Sequence, residues 1–265
     1  MPEPKLADWL ALREAVDHTA RSETLTRALA NALPATRPLR ILDLATGTGS
    51  NIRFLAPRLP APQAWTAVDR DRSLLARVPP GVETRCMELG SLDDQALFDE
   101  FHLVTASALL DLVSPDWIAR LAERCRRAGA VVLFALNYNG WSSCTPADAD
   151  DAFVLEQFNR HQRANDKGFG RAAGPAAGAV ATSAFAECGY EVRTERSDWD
   201  LMPEMDALQT SLIEGWAHAT SEIAPTASKR IDAWLGRRLS HVRQRRSRIT
   251  VGHVDVAAWP IESRS

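Results

Sequence analysis

Asp43, Gly47 and Gly49 stand in the run Leu39-Arg40-Ile41-Leu42-Asp43-Leu44-Ala45-Thr46-Gly47-Thr48-Gly49-Ser50-Asn51, an acid followed by a turn of small residues. This pattern suits capture of a polar ligand on the main chain. Two glycines permit backbone angles that other residues resist, and they let a ligand come close to the backbone. A helix beginning at Ser50 or Asn51 turns free N–H groups and the positive end of its dipole toward whatever lies over the turn. Two further acids, Asp69 and Glu88, each close a strand-like run: Trp65-Thr66-Ala67-Val68-Asp69 and Val82-Glu83-Thr84-Arg85-Cys86-Met87-Glu88-Leu89. Any one of the three acids could be an ordinary capping or solvated loop residue. Together they fall at the carboxyl ends of successive strands, which is where open α/β sheets bind ligands. Two other glycine turns are excluded. The dinucleotide fingerprint needs a third glycine where Ile52 stands, and the P-loop needs a lysine that is absent.

The elements that must hold these residues are legible in the hydrophobic pattern. Leu39, Ile41, Leu42 and Leu44 suit a parallel strand covered on both faces. The spacing predicts strands near 39–44, 65–69, 82–88, 102–107 and 130–136, and helices near 50–58, 72–77, 94–99 and 115–128. Such alternation argues for a parallel sheet with right-handed crossovers. The helix at 115–128 carries its own punctuation: Ser114 as cap, Pro115 in the first turn, Asp116 beside it and Gly129 after the end. Before the sheet, Trp9, Leu10, Leu12 and Val16, then Leu25, Leu29 and Leu33, recur at helical spacing over 4–33. After it, residues 137–175 break the alternation. They include a helix near 148–163 and an Ala/Gly-rich run at 171–181. A helix at 175–188, a strand at 190–201, helices at 204–219 and 225–246 and a strand at 248–259 complete the chain. The domain reading is an N-terminal helical segment at 1–38 and a main domain at 39–265. Insertions fall at about 137–175, expected to be a lid, and at 202–247, a helical cap with Trp216 and Trp234 in its core.

The acid and glycine turn resembles motif I of the class I S-adenosylmethionine-dependent methyltransferases, usually Asp/Glu-x-Gly-x-Gly-x-Gly, with Ala45 in place of the first glycine. Alanine there predicts right-handed or extended backbone. The resemblance covers roughly residues 39–140. It implies a Rossmann-like seven-stranded, mostly parallel sheet with flanking helices, an antiparallel last strand inserted between the fifth and sixth, plus N-terminal helices and helical cap insertions. It also implies S-adenosyl-L-methionine as cofactor, with Asp43, Ala45, Thr46, Gly47, Gly49 and Asn51 around the methionine tail. Asp69 and Arg70 would lie at the ribose, Glu88 and Leu89 at the adenine, and Ser107 and Ala108 after the fourth strand. A carboxylate on ribose hydroxyls makes charge-assisted hydrogen bonds, among the stronger ones.

The donor in such a reaction is already activated, so the protein supplies mainly alignment and a dry pocket. A base is needed only for an acceptor that holds a proton. His161, in the proposed lid, and His18, in the N-terminal helix, are the candidate bases, and Tyr138 is a further catalytic candidate that could orient the acceptor; Arg13, Asn137 and Asn139 are the substrate-binding ones. Arg13, Asp17 and Arg21 are four apart and share one helix face, either as an exposed salt-bridge ladder or with an arginine turned to the ligand.

Composition limits the partners. The chain has 265 residues, 45% of them apolar and 25% charged, and a net charge of -3. That charge argues against a dedicated nucleic-acid surface. One basic stretch, Arg237-Arg238, Arg243, Arg245-Arg246 and Arg248, reads as a solvated helix end or as an RNA contact. No apolar run approaches the ~20 residues of a membrane span, and the first residues lack the layout of a signal peptide. Cys86, Cys125, Cys144 and Cys188 are scattered, which predicts reduced thiols, no metal site and a cytoplasmic location. The expected activity is methyl transfer to a small molecule. The short apolar stretch Ser107-Ala108-Leu109-Leu110-Asp111 carries no motif for amino groups on bases. RNA methylation and a non-catalytic cofactor-binding module are the alternatives; a nicotinamide reductase lacks its glycine and its Tyr-x-x-x-Lys. These motifs name neither the acceptor nor the oligomeric state.

Overall fold

The computed structural model describes residues 3–35, 38–90, 92, 97–98, 100–164, 166 and 168–261. Five strands run parallel: β1 (Leu39–Leu44), β2 (Gln63–Asp69), β3 (Glu83–Cys86), β4 (Leu103–Ser107) and the first part of β5 (Val131–Thr145). β6 (Tyr190–Arg196), β7 (Trp199–Leu201) and β8 (Arg248–Pro260) complete the sheet. The order is β3-β2-β1-β4-β5-β8-β6, with β7 also on β8. β8 runs antiparallel between β5 and β6, as the family resemblance implies. The order reverses direction between β1 and β4, which opens a crevice at the carboxyl ends of the strands.

Helices cover both faces. On one side α2 (Glu23–Ala32) and α3 (Ser50–Leu55) bring Leu25, Leu29 and Phe54 onto Ile41, Leu103 and Leu133. On the other, α5 (Pro115–Ala128) and α7 (Ala177–Glu187) bring Trp117, Leu121 and Phe185 onto Leu42, Val104 and Phe134. Each fully buried Leu or Phe contributes roughly 1.5–3 kcal/mol. The ends of α5 are those its sequence announces. The Ser114 hydroxyl accepts from the Trp117 N–H at 3.2 Å, and Gly129 closes the helix at φ +64°. α4 (Arg72–Leu75) is a single turn capped by Asp71. A third apolar cluster joins α1 (Glu3–Ala20), α6 (Asp151–Ala164), α8 (Asp206–Ile223) and α9 (Ser228–Arg243) to the far ends of β5 and β8, through Val16, Val154, Trp216 and Trp234.

The structure departs from the sequence pattern in three places. β5 does not end at residue 136. It continues to Thr145 against β8, with irregularities between Phe134 and Asn137 and between Tyr138 and Ser142. The polar run Asn137-Tyr138-Asn139 reads as a loop because a bulge breaks its alternation. Leu136 takes φ +55°, and the Asn137 amide donates to the Phe134 and Val254 carbonyls at 2.8 and 2.9 Å. The insertion therefore begins only after this ribbon. The strand expected over 190–201 is two strands, broken where Asp198 turns to accept the His253 N–H at 2.9 Å. The helix expected over 50–58 stops at Leu55 and tightens into one 3-10 turn containing Pro57. The helix expected over 94–99 lies largely outside the described residues, as do Asn165 and Lys167.

In the basic stretch Arg237, Arg238 and Arg248 pair with acids of the chain, while Arg243, Arg245 and Arg246 are exposed. Arg237 donates to Asp148 at 2.6 Å and to Asp150 at 2.7 Å, fully buried Arg238 pairs with Asp151, and Arg230 donates to Asp150 at 2.6 Å. Trp234, buried as expected, donates to Asp151 at 2.8 Å. No helix among the described residues is long and apolar enough to cross a membrane.

Candidate active site

The turn after β1 is built from left-handed residues. Ala45 has φ +49°, Gly47 φ +56° and Gly49 φ +82°. The expectation of right-handed or extended backbone at Ala45 is thus overturned. The chain must reverse in few residues, and alanine bears a strain of ~1–2 kcal/mol that glycine would not. Close packing explains the glycines that are present. A Cβ on Gly49 would sit 2.7 Å from Pro79 Cδ, and one on Gly47 would sit 3.1 Å from Leu10 of α1. The N-terminal helix therefore lies over the turn. Ala108 (φ +52°) and Leu136 (φ +55°) are also left-handed, and all three of these non-glycine residues line one cleft. Strain of this kind clusters at functional sites.

That cleft, about 1210 Å³, runs along the carboxyl edge of the sheet under α1. Of the expected cofactor residues, Asp43, Ala45, Thr46, Gly47, Asn51, Asp69, Arg70, Glu88, Leu89, Ser107 and Ala108 line it. Gly49 stands behind it as the residue before α3. Asp69 grips the turn: its carboxylate accepts from the Gly47 N–H at 2.8 Å and the Asp71 N–H at 3.0 Å. Glu88 is exposed on the rim, whereas Leu89 is buried and its carbonyl accepts from the Trp117 indole at 2.7 Å.

Asp43 is fully buried. Its carboxylate accepts from the Thr46 hydroxyl at 2.5 Å and the Asn51 amide at 2.6 Å. Burial outweighs these bonds and pushes its pKa up to about 6, with Arg21 pulling the other way. Asn51 is the hub behind the turn. It also donates to Thr105 at 3.1 Å and accepts from Arg21 at 2.8 Å. Arg21 stacks over Phe54, 4.5 Å from its centroid, and lies 3.5 Å from Asp255. Asp255 in turn holds the Leu136 N–H at 2.8 Å and the Ser22 N–H at 3.1 Å. Arg21 is thus neither an exposed ladder member nor a cleft residue; it ties α1 and α2 to the turn.

Arg13 does line the cleft. Its Nε donates to Asp17 at 2.8 Å, and its guanidinium lies 5.1 Å from the Trp199 ring centroid. Asp17 is buried and also accepts from the Trp199 indole at 3.0 Å. Tyr138 lines the cleft as a phenol. Its hydroxyl donates to Asn159 at 2.9 Å, and burial together with Asp111 raises its pKa well above the usual range. It remains protonated at neutral pH and cannot serve there as a base.

Three candidates fall outside the cleft. His161 points between α6 and α8 and pairs with Glu222 at 2.7 Å, because lid helix and cap helix pack face to face. Asn137 is buried in the β5 bulge, and Asn139 is exposed, accepting from the Trp141 N–H at 3.1 Å. His18 is likewise occupied, on Ser50 at the start of α3. The histidine that does line the cleft is His253 of β8. Its Nδ1 lies 3.1 Å from the Val251 carbonyl, which can only accept, so Nδ1 carries the proton and Nε2 a lone pair. Burial, then the charge of Arg13, pulls its pKa down to about 3, so it is neutral at physiological pH. Its signal was present in the sequence: His253 and Asp255 are two polar residues at period two within the apolar stretch 251–259.

No protein-family model matches the chain, and no curated protein matches it. Solved structures do resemble it. A cyclopropane-fatty-acyl-phospholipid synthase-like protein from Lactobacillus casei is 14% identical, with a TM-score of 0.54 over 94% of this chain and 92% of that one. A protein provisionally assigned as a type II methyltransferase from Anaeromyxobacter dehalogenans is 15% identical, with a TM-score of 0.52 over 90% of this chain and 96% of that one. At these identities the likeness is one of fold. The chain has the class I S-adenosylmethionine-dependent methyltransferase fold.

Proposed function

We propose that this protein is an S-adenosylmethionine-dependent methyltransferase acting on a small organic acceptor. The observation that carries the reading is Asp43, a fully buried carboxylate at the cleft floor with only neutral hydrogen-bond donors in contact. A buried charge without a paired cation is costly, and the ammonium of a bound amino acid tail would supply that cation. Asp69 at the cleft wall would hold ribose hydroxyls while keeping the Gly47 amide in place. Glu88 on the rim and Leu89 beside it would take the base. When bound, the cofactor supplies a methyl group activated on a sulfonium.

The chain's own residues then align and exclude water. Ligand pockets run roughly 300–1,000 Å³, so a cleft of about 1210 Å³ leaves room for a second small molecule beside the cofactor. α1 roofs the cleft with Leu6, Trp9 and Leu10, and Phe158 and Gln162 of α6 border it, which supports the lid reading of that insertion. The pairing of Arg237 and Arg238 within the chain takes two cations of the basic stretch away from an RNA substrate. Four free cysteines fit a cytoplasmic setting. The test is incubation of the pure protein with methyl-labelled S-adenosylmethionine and fractionated small-molecule extract. Label should move to a low-molecular-weight product. Label appearing only in tRNA would overturn the acceptor class.

A further inference from the structure

Trp9, Trp199, His253, Tyr138, Phe158 and Trp216 form an unbroken run of ring contacts, with centroids 5.1 to 6.2 Å apart. All six line the cleft. Walls of this kind take either a flat apolar ring or a cation, and the charges on the wall decide between them. Arg13 already places a guanidinium on Trp199, 5.1 Å from the ring centroid. Only its Nε is used, toward Asp17 at 2.8 Å; its two terminal nitrogens make no hydrogen bond among the described residues. The orientation of Trp199 is fixed by its indole bond to Asp17. The field of Arg13 also helps keep His253 uncharged. A field that disfavours an imidazolium disfavours an ammonium guest at the same place. Asp111 also lines the cleft, near enough to Tyr138 to raise its pKa, and has a partner of its own within the chain.

Nε2 of His253 completes the pattern. With Nδ1 committed to Val251, Nε2 is a hydrogen-bond acceptor that no group among the described residues fills. The wall therefore offers a cationic fork, a flat aromatic surface and one neutral acceptor, in that order along Arg13, Trp199 and His253. Arg is the side chain best shaped for a carboxylate, which it can grip with two parallel N–H bonds.

We infer that this half of the cleft binds a planar aromatic carboxylate bearing a hydroxyl or N–H group. The carboxylate meets the terminal nitrogens of Arg13, the ring lies against Trp199 and Tyr138, and the hydroxyl or N–H donates to Nε2 of His253. This rests on the methyltransferase reading, for it names the acceptor class of that same site.

The test is binding of matched probes, followed by tryptophan fluorescence, with and without S-adenosylhomocysteine. 4-Hydroxyphenylacetate carries the full pattern. Tyramine exchanges the carboxylate for an ammonium, cyclohexylacetate loses the flat ring, and phenylacetate loses the hydroxyl. 4-Hydroxyphenylacetate should bind at least tenfold tighter than tyramine and cyclohexylacetate. Arg13→Met should remove its advantage over tyramine, and His253→Phe its advantage over phenylacetate. Tyramine binding as tightly as the acid, or no probe binding at all, overturns the inference, whatever the variants do. Failure of the probes while S-adenosylhomocysteine binds leaves the methyltransferase reading standing; failure of S-adenosylhomocysteine removes that reading instead.

Discussion

Asp43→Asn should stabilise the ligand-free protein at alkaline pH. Burial raises the Asp43 pKa from 3.8 to about 6. A rise of about 2 units is ~3 kcal/mol against the ionised form, at 1.36 kcal/mol per unit. The folded chain holds a proton there more tightly than the unfolded chain does. The cost is therefore full above pH 6, declines as the pH falls through 6, and vanishes below 3.8. By pH 4.5 it has dropped to about a third of its value at pH 8. Asparagine can keep both hydrogen bonds, its oxygen accepting from Asn51 and its amide donating to the Thr46 hydroxyl. The net pKa shift already includes the pull of Arg21, so the expected gain at pH 8 is at most about 3 kcal/mol. Urea unfolding of both proteins at pH 8, 6 and 4.5 measures it, and the difference between them cancels other titrating groups such as Asp17. A variant less stable than the parent at pH 8, or a difference that does not shrink with falling pH, refutes the reasoning. The same variant should lose affinity for S-adenosylhomocysteine, since stability and ligand charge are set against each other at this carboxylate.

Three further outcomes follow from the geometry. Ala45→Gly relieves a left-handed alanine worth ~1–2 kcal/mol but loosens the unfolded chain by ~0.4–1 kcal/mol, so urea unfolding should show a net gain of about 0.5–1 kcal/mol. Asp69→Ala should weaken S-adenosylhomocysteine binding more than tenfold by calorimetry, because it removes both the ribose acceptor and the anchor of the Gly47 amide; an unchanged affinity removes the ribose assignment. Arg238→Met leaves Asp151 without its buried partner and should cost about 3 kcal/mol in urea unfolding, where a surface ion pair would cost under ~1 kcal/mol.

Much of this was legible in local pattern. The strand, acid and glycine turn at 39–51, the capped helix at 115–128 and the acids at Asp69 and Glu88 are local signals, and the structure brings the turn and the two acids to one sheet edge. What stayed hidden depends on distant pairing. The extension of β5 to Thr145 exists because β8 is long enough to match it, and a bulge disguises its alternation. His161 looked available because the contact with Glu222 is made across 61 residues of chain, and His253 looked ordinary because only pairing with β5 turns it into the cleft. Arg13, Asp17 and Arg21 share a helix spacing, but the spacing alone could not tell that Asp17 and Arg21 would be buried against Trp199 and Asp255 while Arg13 faces the cleft.

The central claim is that Asp43, Asp69 and the turn between them hold an adenosyl cofactor. Isothermal titration of the pure protein with S-adenosylhomocysteine tests it most directly. One saturable site per chain, weakened by Asp69→Ala and losing affinity as the pH falls below 6, is the predicted result. No heat of binding across that range, in protein shown to be folded, would contradict the account.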